Sequence, residues 1–273
     1  MTNRTEALDA GTFLRTSSLF EEKRKLLGPQ AVKGLAEEIV QRVSMMKHSL
    51  RKGADDDMHE AGVAEFCTTL VHASSTNALQ FILQRQAEGM DRSVILHRYL
   101  AGAARMLGAK WERDEVSLLD VIHGTGHLYS LLRALRPAPA AEAATALSRR
   151  NALFALVPGE THRFGIQLAA ETFREAGWNI DLQVGLGHDD LIHHVQRTGP
   201  TIIGFSLSTE ERLADLIRAV IAVRLERPSA IIGVAPALNM EDTKLRSVVD
   251  VDLVFRDVNV AVQNLDWMRQ LKS

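Results

Sequence analysis

The stretch ALFALVPGETHRFGIQLAAETFREAG, residues 152–177, decides the fold. It opens with six apolar residues in a row and turns at Pro158-Gly159. Apolar side chains then recur at Ile166, Ala169, Ala170 and Phe173. A short continuous apolar run bounded by turn residues reads as a buried strand, and the later spacing reads as a helix. Strand, loop, helix is one βα unit, and the loop carries a histidine, His162, two residues after Glu160.

The unit repeats downstream. Further strands are expected at 179–184, 201–208, 230–234 and 253–255, with the first at 152–157. Helices are expected at 164–176, 189–197, 210–226, 241–247 and 258–271. Near-continuous apolar runs such as TIIGFSL and AIIGV suit a parallel sheet covered on both faces. Five βα units imply a flavodoxin-like, doubly wound sheet. Ligands of such sheets bind outside the carboxyl ends of the strands, where PGETHRFG lies.

The first half has a different period. Between residues 28 and 136 the apolar residues recur at helical spacing, which predicts helices at 29–50, 57–73, 75–88, 91–110 and 116–135. Residues 1–27 show no clear apolar pattern and read as an arm. The segment RPAPAAEAATALSRR, rich in alanine and proline, reads as a linker over 137–150. The expected architecture is therefore a helical bundle followed by a Rossmann-like α/β domain, 151–273.

Composition narrows the function. The chain has 273 residues, 46% hydrophobic and 24% charged, with formal net charge −2. That balance gives no electrostatic case for direct nucleic-acid binding. No apolar run reaches about 18 residues, so no membrane span is expected. The single cysteine and the absence of a signal-like N-terminus point to the cytoplasm.

Three roles are open to His162 on its own residues: a packed loop histidine, a general base oriented by Glu160, or a metal ligand steadied by that carboxylate. No nucleophile elbow accompanies the second. In the last bundle helix, His123 and His127 share a face with Gly126, Ser130 and Ala134. A flat macrocycle could approach that face, and a solvent face has the same composition. His188, His193 and His194 form a separate group, expected to be solvated.

E-T-H-R-F-G resembles the D-x-H-x-x-G signature of cobalamin-binding domains, with Glu160 for the usual aspartate. GFSLS, 204–208, resembles the G-x-S-x-L element, with Ser208 for leucine. IIGVAP, 231–236, resembles the G-G element, with Val234 for the second glycine, and VDLVFRDVNVAV resembles the closing strand and helix. The resemblance implies His162 as the lower axial cobalt ligand, with Glu160 behind it. It also implies a nucleotide tail passing Gly165, Ser206, Ser208, Gly233, Ala235 and Phe255. Val234 would narrow that path, which leaves haem as an alternative group.

LGAKWERDEVSLLDV, 107–121, is similar to the L-G-x-x-W segment of the helical cap before many cobalamin domains. This implies Trp111 over the upper corrin face, with His123 as the candidate upper ligand and His127 as the second choice. WERDEVSLLDVIHGTGHL resembles the W-E-x-D-x-x-S-x-x-D-V-x-x-G pattern of the AerR/PpaA antirepressors. The resemblance implies a light- or redox-sensing regulator that holds adenosylcobalamin or hydroxocobalamin. It would act through a repressor of the CrtJ/PpsR type, with no DNA-binding domain of its own and no catalysis; a homodimer stays open. CarH-type repressors carry Glu-His where this chain has Val121-Ile122. The competing reading is a corrinoid methyl carrier serving a separate methyltransferase.

Overall fold

The computed structural model describes residues 8–45, 56–72, 74–135, 150–237 and 240–270. The chain divides into two compact units, Met1–Pro137 and Ala138–Ser273. Most of the expected linker, and the first residues of the expected arm, lie outside the described residues, as do 46–50 of the first expected helix.

The first unit is helical: α1 (Ala10–Leu26), α2 (Pro29–Ser44), α3 (Asp56–His72), α4 (Ser75–Ala87), α5 (Arg92–Val94), α6 (Ala101–Glu112) and α7 (Leu118–Ala134). A π-helical segment, Ile95–Leu100, joins α5 to α6, so the helix expected over 91–110 has a wide turn inside it. Ile95, Tyr99 and Leu100 of that turn are buried, and the Tyr99 ring lies 6.3 Å from Phe66 and 6.0 Å from Phe81.

The arm reading is corrected by α1. Asp9 caps the helix by accepting from the Thr12 N–H, and Phe13, Thr16, Phe20 and Lys23 are buried. Their 3-4-3 spacing is a helical stripe, concealed in the sequence because two of the four residues are polar. The Lys23 ammonium lies 5.8 Å from the Phe20 ring centroid and 5.5 Å from that of Tyr129. Cation–π contact of this kind lets a lysine stand where an aliphatic residue is expected.

Helix α7 starts at a capping box in which Ser117 and Asp120 each satisfy the other's backbone N–H. It is buried almost all round from Val121 to Ala134. A Cβ on Gly126 would stand 2.6 Å from Cδ1 of Phe20, and one on Gly124 would stand 2.8 Å from Cδ2 of Leu107. These glycines let α1 and α6 close directly onto the α7 backbone.

The second unit is a five-stranded parallel sheet: β1 (Asn151–Leu156), β2 (Asn179–Gln183), β3 (Ile202–Leu207), β4 (Ile231–Pro236) and β5 (Leu253–Val254), in the order β2-β1-β3-β4-β5. This is the expected flavodoxin-like order, and its switch point falls between β1 and β3. The helices are α8 (Phe164–Glu175), α9 (His188–Thr198), α10 (Leu213–Glu226), α11 (Asp242–Val248) and α12 (Val258–Gln270), with a 3-10 turn at Glu210–Arg212. Phe154, Phe173 and Trp178 stack edge to face in the core, 4.9 Å and 5.7 Å apart.

Strand β5 is only two residues long and is held by a side chain. Arg224, buried in α10, donates to the carbonyls of Ala230 and Asp250 and to Oδ2 of Asp252 at 2.6 Å. Asp252 in turn accepts from the Ile232 N–H at 2.8 Å. The histidine group near α9 is not uniformly solvated. His193 is exposed, whereas Nε2 of His194 bonds Oδ2 of Asp181 at 2.6 Å and its side chain is 13% exposed. That bond ties α9 to the edge strand β2.

Candidate functional site

The site is built at the carboxyl end of β1. The chain leaves the strand through a turn in which the Glu160 N–H donates to the Val157 carbonyl at 2.9 Å. Gly159 takes φ +82°, and a Cβ there would stand 2.9 Å from Nη1 of Arg212. The backbone angle is what requires glycine here, since the exposed end of the Arg212 side chain can swing aside.

This turn places Glu160 inward, with its side chain only 3% exposed. Its Oε1 accepts from the N–H groups of Thr161 (2.8 Å) and His162 (3.0 Å) and from Nδ1 of His162 (2.7 Å). Its Oε2 accepts from the Ser208 N–H at 3.1 Å, beyond the end of β3. The glutamate thus links the loops on both sides of the switch point. Burial alone would raise its pKa. The backbone and ring donors of His162, with those of Thr161 and Ser208, outweigh burial and hold it at about 2.

A carboxylate ionised over the whole working range can only accept. Nδ1 of His162 is therefore the protonated nitrogen, and Nε2 of the neutral ring carries the lone pair. The ring itself is 67% exposed. The loop thus presents one imidazole nitrogen outward, with its tautomer and ring orientation fixed from behind.

Beside this loop a cleft of about 670 Å³ runs between the sheet and helices α8 and α12. Gly165, Ser206, Ser208, Gly233, Ala235 and Phe255, all singled out in the sequence, line it. Val234 does not: side chains alternate along a strand, and Val234 is fully buried on the opposite face from Gly233 and Ala235. The expected narrowing at Val234 is therefore corrected, and with it the argument for haem. Gly233 serves a different purpose from open space, since a Cβ there would stand 2.8 Å from Cε2 of Phe255. At Gly165 a Cβ would meet nothing within 4 Å.

The remaining candidates lie in the helical unit. Trp111 is half-buried in the last turn of α6, with the Lys33 ammonium 5.8 Å from its ring centroid. His123 and His127 border a pocket of about 460 Å³ with Ser17, Phe20 and Glu21 of α1. Nε2 of His123 accepts from Nη1 of Arg24 at 2.6 Å, and Nδ1 of His127 donates to the Leu70 carbonyl at 2.9 Å. Burial lowers the His127 pKa, the Leu70 carbonyl opposing it. On the small-residue face of α7, α1 packs against Gly126 through Phe20, beside that pocket.

Two features of the sheet unit were not legible in the sequence. Ser208 meets Glu160 through its backbone, so its departure from the leucine of the motif leaves the link intact. Arg256, at the cleft, finds its partners only through the tertiary structure.

No protein-family model matches the chain. An uncharacterized 20.5 kDa protein from the bchF-crtJ intergenic region of Rhodobacter capsulatus is 25% identical over 167 residues, covering 60% of this chain and 86% of that protein. Among solved structures, the monomethylamine corrinoid protein of Methanosarcina barkeri aligns with 79% of this chain and 100% of its own, at TM-score 0.39 and 13% identity. A cobalamin-binding protein of Desulfitobacterium hafniense DCB-2 aligns with 77% and 98%, at TM-score 0.40 and 14% identity. The methanol:cobalamin methyltransferase complex of Methanosarcina barkeri aligns with 92% of each chain, at TM-score 0.39 and 10% identity.

Proposed function

We propose that the chain binds cobalamin at the carboxyl end of its sheet and acts as a regulator of the antirepressor type, through a partner repressor. The observation that carries the binding is the Glu160–His162 pair beside the cleft. The donor set is one imidazole nitrogen, which would suit an ion otherwise held by its own macrocycle. Among the described residues no group of three or more His, Cys, Asp or Glu is arranged to hold a metal ion by itself.

In this reading His162 would hold the cobalt of the cofactor through Nε2, and Glu160 would keep the ring oriented. The cleft takes the nucleotide tail along Ser206, Gly233 and Ala235, away from water. When bound, cobalamin supplies a cobalt–carbon bond that light or a reductant can break. The regulatory half rests on the W-E-x-D-x-x-S-x-x-D-V-x-x-G resemblance and on the relative from the bchF-crtJ region.

A second reading, a corrinoid methyl carrier, is favoured by one observation. His123 and His127 are engaged by Arg24 and Leu70 inside the helical unit. They therefore supply no reason against an exchangeable methyl group.

Absorption spectra separate these readings. Purified chain is loaded with adenosylcobalamin, hydroxocobalamin or methylcobalamin and measured before and after illumination. A light-driven change that alters repressor binding supports the regulator. Methyl transfer to a thiol acceptor by a cognate methyltransferase, without light dependence, supports the carrier. His162→Ala is expected to lose the bound corrinoid while far-UV circular dichroism is kept. Full occupancy with an unchanged spectrum in that variant sinks the binding mode.

A further inference from the structure

The only charged side chains among the described residues that line the cleft are Arg256 and Asp257, side by side after β5. Both are engaged by the protein itself. Arg256 donates from Nη1 to the Ala237 carbonyl at 2.9 Å and from Nη2 to the Met240 carbonyl. Its Nε and Nη2 reach Oδ1 of Asp242 at 2.9 Å and 2.6 Å. All three of these acceptors flank or open the connection from β4 to α11. Asp257 accepts through Oδ1 from the N–H groups of Asn259 (2.8 Å) and Val260 (3.0 Å), which caps α12.

Each contact fixes one wall of the cleft. Pro236 and Ala237 border it on the β4 side, and Val258, Ala261 and Leu265 of α12 border it on the other. A planar guanidinium with donors on three atoms holds two carbonyls and a carboxylate in one fixed fork, a geometry that the compact ammonium of a lysine does not reproduce. With both charges committed to the walls, the rest of the lining recognises its occupant by shape and apolar contact.

We propose that Arg256 is a positioning residue, and that with Asp257 it forms a clasp fixing the width of the cleft mouth for the aromatic base of a nucleotide tail. The inference rests on the cobalamin reading for the identity of the tail, but not for the clasp itself. It is tested on the full chain with Arg256→Ala and Arg256→Lys.

In the protein without cofactor, amide exchange across Met240–Leu245 is expected to accelerate in both variants. With ligand, affinity for cobalamin is expected to fall by about tenfold, the worth of one charge-assisted hydrogen bond. Affinity for tailless cobinamide is expected to stay at the wild-type value. Equal changes for cobalamin and cobinamide, or no change in either exchange or affinity, overturn the clasp. If wild type binds neither corrinoid, the cobalamin reading fails, and the clasp is judged on exchange and on an amphiphilic dye, anilinonaphthalene sulfonate, in the cleft. Dye binding and exchange identical to wild type in Arg256→Ala then refute it.

Discussion

Replacing Glu160 by glutamine tests whether one buried carboxylate organises the loops at the switch point. The carboxylate accepts four hydrogen bonds, three on Oε1 and one on Oε2. A glutamine has one oxygen with two lone pairs, and its amide N–H groups would face another donor, the Ser208 N–H or those of the loop. A carboxyl held at about 2 instead of 4.5 favours the folded sheet unit by roughly 3 kcal/mol at neutral pH. The sign follows from the depressed value: the contribution is present above pH 4.5 and is lost as pH falls towards 2. Glu160→Gln is therefore expected to destabilise the sheet unit by about 2–3 kcal/mol at neutral pH, and by less than half of that near pH 3. Two compact units make a single whole-chain transition a poor measure. Native-state hydrogen exchange of the β1 and β3 amides reads this unit alone. A difference between the two proteins that is the same at neutral pH and at about pH 3 would refute the electrostatic account. Wild-type stability in the variant would refute the organising role altogether.

Two glycine substitutions in the helical unit are expected to have opposite signs. Gly126→Ala forces a Cβ against the buried Phe20 ring and should destabilise by about 1–2 kcal/mol net of helix propensity. Gly34→Ala, in α2 with open space around it, should stabilise by roughly 0.5–1 kcal/mol. Native-state hydrogen exchange of the α2 and α7 amides in the two variants beside wild type decides, and unchanged or raised stability in Gly126→Ala contradicts the packing of α1 on α7. In the sheet unit, Gly233→Leu must displace the Phe255 ring, which borders the cleft. It is expected to abolish cobalamin binding while cobinamide still binds, and equal loss of both in equilibrium dialysis would mean that the domain has collapsed instead.

The sequence by itself determined the sheet, its order and the loop that carries the site. Short apolar runs and Pro-Gly turns are local signals, and five βα units leave few topologies once crossovers are right-handed. It also placed Glu160 beside His162, because two residues apart in one loop is a local relation. What the tertiary structure decided depended on which face a residue occupies and what lies across from it. Val234 falls on the far face of β4, so a residue that looked obstructive in the linear motif does not line the cleft. Helix α1 buries a threonine and a lysine in its stripe, which no count of apolar residues registers. Its packing on α7 sets Phe20 against Gly126 beside a pocket lined by His123 and His127, while Gly124 meets Leu107 of α6. Arg256 meets the Ala237 and Met240 carbonyls and the Asp242 carboxylate only because β4 and β5 are neighbours in the sheet. Periodicity reveals what a residue's own segment needs, and partners distant in sequence exist only once the chain has folded.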